Sequence, residues 1–175
     1  MQMITHGIST GALFLIAGVV SERIQTRDLN QMGGFWNSMP RLGGISLVFV
    51  MASLGLPGLG NFVAEFLTLI GAWQAHRLLT ILGAIGVVGA TIYSLRIMQR
   101  VFYGAQPAVQ NHQLADLSFR EKLIMIPLVV LIILLGVLPQ YALDTSRAAV
   151  TTILKGDRTN PDAPTATIKQ GGDHD

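Results

Sequence analysis

The stretch Ala52-Ser53-Leu54-Gly55-Leu56-Pro57-Gly58-Leu59-Gly60-Asn61-Phe62-Val63-Ala64-Glu65-Phe66 decides the fold. It lies inside an apolar segment, residues 42–75, in which Glu65 is the only formal charge. As one straight helix the segment would be about 51 Å long, whereas the hydrocarbon core of a membrane is about 30 Å thick. Pro57 removes a backbone donor, and the glycines around it weaken helical order. The sequence therefore predicts two half-helices joined by an unwound hinge.

The composition of the whole chain indicates a membrane protein. Of its 175 residues, 50% are hydrophobic and only 13% are charged, whereas a soluble domain has about 25% charged residues. A net charge of +2 without a run of Lys or Arg argues against a nucleic-acid partner. The absence of cysteine excludes disulfides, thiolate catalysis, Fe–S ligation and cysteine-based zinc sites.

Three further apolar segments, residues 1–20, 78–95 and 123–138, flank the broken one. The first contains no Lys or Arg, unlike a cleaved signal peptide, and is predicted to be a mature helix. We predict an all-α polytopic membrane protein with about four transmembrane helices, one of them discontinuous. The transmembrane part is predicted to end near residue 155, and the polar tail 156–175 is predicted to be disordered.

The basic residues predict an orientation in the membrane. If each apolar segment crosses once, seven of them share one side with the loop that follows the first helix, and five lie on the other. The seven are Arg23, Arg27, Arg41, Arg96, Arg100, Arg120 and Lys122. Cytoplasmic loops carry an excess of Lys and Arg, so the side with seven is predicted to be cytoplasmic.

Glu65 is the first candidate for chemistry. A carboxylate at membrane depth costs a few kcal/mol and usually marks an ion or proton pathway. Unwound backbone at that depth is tolerated only against protein or water, so the hinge and Glu65 are predicted to form one site of the kind that transporters use for ions. The alternatives are that Glu65 is hydrogen-bonded for packing or that it reaches a membrane interface.

His6 is the second candidate, because an unperturbed histidine pKa of about 6.5 suits proton transfer at neutral pH. The alternative for His6 is a packed, hydrogen-bonded side chain. Other polar residues in the apolar segments hold water between titrating groups or bond one helix to another. They are Ser9, Ser53, Asn61, Thr68, Thr91 and Ser94. The remaining histidines, His76, His112 and His174, are too scattered to predict a metal site.

Several motifs together resemble one family. They are Gln2-Met3-Ile4-x-His6-Gly7, Glu22-Arg23-Ile24-x-Thr26-Arg27-Asp28-Leu29, Met32-Gly33-Gly34-x-Trp36, the hinge sequence 52–66, Tyr93-Ser94-Leu95-Arg96 and Phe102-Tyr103-Gly104. Over residues 1–150 the chain is similar to the antiporter-like chain M family of the proton-pumping NADH:quinone oxidoreductase, respiratory complex I. The resemblance implies the C-terminal portion of a longer subunit in the inner cell membrane, beside neighbouring antiporter-like chains.

The resemblance also implies roles for both candidate residues. It makes Glu65 a principal proton-carrying residue of the family's second half-channel and places His6 on the central hydrophilic axis. Related chains generally have a lysine where this chain has Glu65, so the glutamate favours chain M. No NADH, flavin, Fe–S or quinone site is expected in this chain, and the family's first half-channel lies upstream of it. The alternatives are a subunit of a multisubunit sodium/proton antiporter and a non-transporting membrane scaffold.

Overall fold

A computed structural model describes residues 1–105 and 114–159, and within these ranges it contains helices and no strands. The prediction of an all-α chain is therefore confirmed. The helices are α1 (Gln2–Ile24), α2 (Phe35–Ser38), α3 (Pro40–Ser53), α4 (Gly60–Ala75), α5 (Arg77–Met98), α6 (Phe119–Val137) and α7 (Gln140–Thr159). A short 3-10 helix spans Leu29–Gln31, and a π-helical turn, Gln99–Tyr103, continues α5.

The broken helix forms as predicted. α3 ends at Ser53 and α4 begins at Gly60, and each is shorter than a full span, with 14 and 16 residues. Between them the hinge, residues 54–59, turns through two glycines with positive φ, +68° at Gly55 and +97° at Gly58. Residues with side chains rarely adopt these angles, so glycine is required where the chain leaves the helical path.

Each of the four predicted apolar segments forms helix, and segment 42–75 is interrupted by the hinge. Two unbroken helices of the described chain are long and apolar enough to cross a membrane by length and composition, Gln2–Ile24 and Arg77–Tyr103. α6 has 19 residues, and three consecutive charged residues follow Phe119 at its start, so its apolar part begins at Leu123. These helices fit the predicted membrane class.

Residues 1–139 form one compact unit, in which α1 packs against α3, α4 and α6. Its core is formed by Ala12, Ile16 and Val20 of α1, Leu42, Phe49 and Ala52 of α3, and Met125 and Ile132 of α6. α5 contacts α3 and α4 but buries only two residues of its helix, Thr80 and Met98. The broken helix is thus held mainly by α1 and α6.

The hinge is in backbone contact with α6. A Cβ atom added at Gly136 would overlap the carbonyl oxygen of Gly58. On the α1 side, a Cβ added at Gly60 would lie 2.8 Å from Cγ2 of Thr5. Because nothing larger than glycine fits at Gly136, α6 and the hinge approach each other as closely as two backbones can.

An ion pair joins the C-terminal end of α1 to the N-terminal end of α6. One guanidinium nitrogen of Arg23, Nη2, donates to both carboxylate oxygens of Glu121, at 2.8 and 2.7 Å, and both side chains are mostly buried. Glu121 also completes a capping box with Ser118 at the start of α6. Charge-assisted bonds of this kind are stronger than neutral ones, so the pair fixes these two helix ends together.

The N-terminus of α3 is capped by a residue far along the chain. Met39, at the N-cap position, offers no side-chain bond. Instead, the carboxylate of Asp116 accepts the N–H groups of Arg41 and Leu42, both at 3.1 Å, and that of Leu117 at 2.8 Å. Burial raises the pKa of Asp116, but these backbone donors and the charge of Arg41 lower it by more, so it lies below its ordinary value.

We expect Asp116→Asn to lower the free energy of unfolding by about 0.5–2 kcal/mol at neutral pH, the usual value of a helix cap. Because the pKa of Asp116 is lower in the folded state, its stabilisation is complete above the unfolded pKa of about 3.9. It is lost as the pH falls through the folded pKa. Thermal unfolding of the detergent-solubilised chain between about pH 7 and about pH 3 tests this dependence.

Asp144→Asn is the matched control for this prediction. Asp144 lies 3.5 Å from Arg147 in an exposed pair on α7, which contributes little to stability. Equal effects of the two substitutions, or a difference that does not shrink in acid, would contradict the capping role of Asp116.

α7 belongs to a second unit, residues 140–175, and is described by itself. The helix continues to Thr159, whereas the polar tail was predicted to begin at 156. Extending an existing helix costs far less than starting one, so a few polar residues continue it. The rest of the predicted tail, residues 160–175, lies outside the described residues.

Candidate functional site

A cavity of about 1030 Å³ lies along α1 and is also lined by residues of α3, α4 and α5. Its lining follows one face of α1 from Gln2 to Ser21, a rise of about 28 Å. Both predicted site residues, Glu65 and His6, line it. The broken helix and the histidine helix therefore face one common space.

The Glu65 carboxylate folds back over the hinge. A Cβ atom added at Gly55 would lie 2.8 Å from its Oε2 atom, so the missing side chain of Gly55 makes room for the carboxylate. This position is near the N-terminus of α4, whose first N–H groups lack a side-chain cap and which carries the positive end of the helix dipole. The site combines unwound backbone and a titratable group, as the sequence predicted.

The surroundings of the Glu65 carboxylate bear on one of its alternatives, a hydrogen-bonded packing role. Among residues 1–105 and 114–159, no side chain or backbone group donates a hydrogen bond to its carboxylate, and no basic nitrogen lies within 4.0 Å of it. The side chain is half-buried and faces the cavity. A carboxylate bonded for packing against the described residues would have such partners, whereas the proton-transfer role of Glu65 stays a prediction.

His6 lies on the cavity side of α1 and is exposed, not packed in the core. Its ring nitrogens lie 3.3 and 3.4 Å from the hydroxyl of Thr10, one helical turn further on. His6 and Glu65 thus line the same cavity, and no direct bond joins them.

A buried hydrogen-bonded chain connects α4 to α1 beside these groups. Nδ2 of Asn61 donates to Oγ of Ser9 at 2.9 Å, and Oγ of Ser9 lies 3.2 Å from the carbonyl oxygen of His6. Both side chains are almost completely buried. For Ser9 and Asn61, the structure shows the helix-to-helix bond that was one of the two predicted possibilities.

The other polar residues named from the sequence divide into two groups. Ser53 and Ser94 line the cavity. Thr68 and Thr91 instead donate to carbonyl oxygens of their own helices, at 2.8 and 3.0 Å. Ser53 also donates within its own helix, to the carbonyl oxygen of Val50 at 2.8 Å, so the two groups differ in that Thr68 and Thr91 do not line the cavity.

The polar residues of the lining that the sequence reasoning missed include Gln2, Thr10 and Ser46. Gln2 and Thr10 are spaced four residues either side of His6, and this spacing puts all three on one helix face. That periodicity was available as a signal. Ser46 is buried and bonds to the carbonyl oxygen of Leu42, and nothing in its sequence context distinguishes it.

Comparison with known proteins shows consistent similarities. Residues 1–92 match the family described as NADH:quinone oxidoreductase/Mrp antiporter, TM. The chain is 44% identical over 154 residues to NADH-quinone oxidoreductase subunit M of Escherichia coli K12, covering 87% of this chain and 30% of that protein. It is 46% identical over 150 residues to the same subunit of Pseudomonas aeruginosa, covering 86% and 29%. It is 36% identical over 155 residues to NADH-ubiquinone oxidoreductase chain 4 of Arabidopsis thaliana, covering 89% and 31%.

A solved structure agrees with these relatives. A chain of respiratory complex I from Thermus thermophilus with bound NADH superimposes with a TM-score of 0.72 at 34% identity, covering 78% of this chain and 28% of that chain. The chain thus spans about a third of the length of its relatives. The family match lies in the N-terminal part of this chain and not in its C-terminal part. The place of the chain within a longer subunit stays a prediction.

Proposed function

Because the chain belongs to the NADH:quinone oxidoreductase/Mrp antiporter transmembrane family, we propose that it forms part of a membrane subunit of a proton-pumping NADH:quinone oxidoreductase. In this proposal it contributes to proton translocation driven by electron transfer from NADH to quinone. The relatives named subunit M and the similarity to a complex I chain support this assignment. The location would be the inner cell membrane, next to the other membrane subunits.

The observation that carries the proposal is the Glu65 carboxylate. It faces the cavity without a hydrogen bond from the described residues, lies beside an unwound hinge, and shares the cavity with His6. Such a carboxylate can take up and release a proton without breaking a structural bond. We propose that Glu65 is reprotonated through cavity water and His6, and that it discharges towards the outside as neighbouring charges shift.

The redox chemistry is proposed to lie in other subunits. This chain has no cysteine for an Fe–S cluster, and its candidate site holds acid–base groups. Its part would be to hold and move protons while electron transfer elsewhere supplies the free energy.

His6→Gln tests the proposal. In the complete complex reconstituted in vesicles, we expect NADH-driven proton transport through this subunit to fall about tenfold. This fall is smaller than the loss of about a hundredfold expected when the sole acid–base group is removed, because water in the cavity can carry some protons in place of His6. The measurement is the proton flux per NADH oxidised, from the quench of a pH-sensitive dye.

His76→Gln is the matched control, since His76 precedes α5 and does not line the cavity. Equal proton-to-electron ratios for the wild type and both variants would remove His6 from the path. Sodium-dependent proton exchange without NADH would instead indicate an antiporter subunit.

A further inference from the structure

Two unpartnered oxygens belong to residues that line the cavity. Within the described residues, the buried side-chain polar atoms without a hydrogen-bond partner are Oε1 of Gln2 and Oδ1 of Asn61. Both residues line the cavity that contains His6 and Glu65. Buried polar groups are nearly always bonded, so two free acceptors in one space indicate that something in that space donates to them.

The bond network fixes the orientation of the Asn61 amide. The Ser9 hydroxyl has one proton, and the carbonyl oxygen of His6 lies 3.2 Å away as its acceptor. The Ser9 oxygen must then receive a proton from Asn61, so Nδ2 is the end of the amide that contacts Ser9, at 2.9 Å. The free end is therefore the oxygen, which accepts and cannot donate.

The position of Asn61 relates this free oxygen to the titratable groups. Asn61 precedes Glu65 by four residues in α4, so the two lie on one helix face about 6 Å apart along the axis. Through Ser9 the same amide is bonded to the backbone of His6. The side chain of Asn61 is 2% exposed, so its position is fixed by packing.

Water is the ligand that suits this oxygen. The acceptor is neutral and needs a small donor, and Asn61 lines a cavity of about 1030 Å³ that is large enough to hold water molecules. A water that donates a hydrogen bond to Oδ1 through one of its protons still has a second proton and its lone pairs. It can therefore bond to one group that accepts and to one that donates.

We propose that Asn61 is a positioning residue for proton transfer, whose Oδ1 holds a water molecule between His6 and Glu65. This inference rests on the proposed function. The water accepts a proton from the protonated imidazole of His6 and passes its other proton to the Glu65 carboxylate. His6 ends neutral, Glu65 ends protonated, and the water is restored. Asn61 itself neither gains nor loses a proton.

The test compares Asn61→Leu with Ser9→Ala in the complete complex in vesicles. Asn61→Leu keeps the size of the side chain but removes the acceptor, and proton transport per NADH is expected to fall about tenfold. Ser9→Ala breaks the bond between α1 and α4 but leaves Oδ1 in place, and a fall of less than about threefold is expected. If Asn61 serves only to join the two helices, both variants lose the same amount, and the proposal is wrong.

Two additional variants complete the design. Asn61→Asp retains an acceptor oxygen and is expected to recover part of the transport lost in Asn61→Leu. Thr68→Val, on the same helix but bonded within it, is expected to match the wild type. The amount of assembled complex and NADH oxidation by an artificial acceptor are measured for each variant, so that poor folding is distinguished from lost transport.

The Glu65→Gln variant separates the two possible failures. If Glu65→Gln pumps normally, the proposed function fails. If Glu65→Gln is inactive and Asn61→Leu is normal, only the role of Asn61 fails. A high-resolution structure of the complete complex provides a direct readout, since a water is expected within about 3.2 Å of Oδ1 of Asn61. A side chain from another helix at that position would overturn the proposal.

Discussion

Glu65→Gln is expected to slow proton transfer through the cavity by about a hundredfold or more, the contribution of a positioned acid–base group. Glutamine has the same shape and can occupy the same space against Gly55. It cannot take up a proton, however, so the substitution removes the titration and leaves the packing in place. The expected result is a complex that assembles at the normal level but transports fewer protons per NADH oxidised.

Two comparisons make this result specific. Glu22→Gln changes an exposed carboxylate of α1 that lies outside the Glu65 cavity, and it is expected to have no effect. Glu65→Asp keeps the carboxylate but withdraws it from the hinge, and an intermediate loss is expected. Normal proton pumping and quinone reduction in Glu65→Gln would remove this carboxylate from the path.

Gly136→Ala is expected to lower the free energy of unfolding by about 1–3 kcal/mol, which is the usual cost of overpacking a close contact. The added methyl group would overlap the carbonyl oxygen of Gly58. A side chain can rotate away from such an overlap, but this oxygen belongs to the backbone of the hinge. Either α6 or the hinge must therefore move.

Gly86→Ala in α5 is the control, because a Cβ atom there has no neighbour within 4 Å. Alanine is the better helix former, so this variant is expected to be as stable as the wild type or slightly more stable. The amount of assembled complex and its thermal unfolding in detergent measure both effects. If Gly136→Ala is as stable as Gly86→Ala, the hinge does not depend on this backbone contact.

The broken helix and its carboxylate were predictable because their causes are local. Proline and glycine end a helix wherever they occur, and an apolar segment too long for the membrane has to break at them. Glu65 follows the hinge closely in sequence, so the two had to share one site. The functional roles of Glu65 and His6 are not tested by the structure and stay predictions.

The contacts that hold the site were not predictable from local sequence. Asp116 caps a helix that begins about 75 residues earlier, and Arg23 pairs with Glu121 across about 98 residues. Single charged residues near helix ends are common, and their sequence context does not indicate which end they stabilise. Likewise, the free oxygen of Asn61 depends on the bond that Ser9 makes, and this bond is known only from the packing of α1 against α4.

α6 is held at two points, so the length of this helix fixes the distance between them. Glu121 ties one end to Arg23, and Gly136 contacts the hinge at the other, about 22 Å further along the axis. Deleting one residue between them would shorten this distance by about 1.5 Å and turn Gly136 by about 100° away from Gly58. The number of residues in α6 therefore sets the distance between the Arg23–Glu121 ion pair and the hinge beside Glu65.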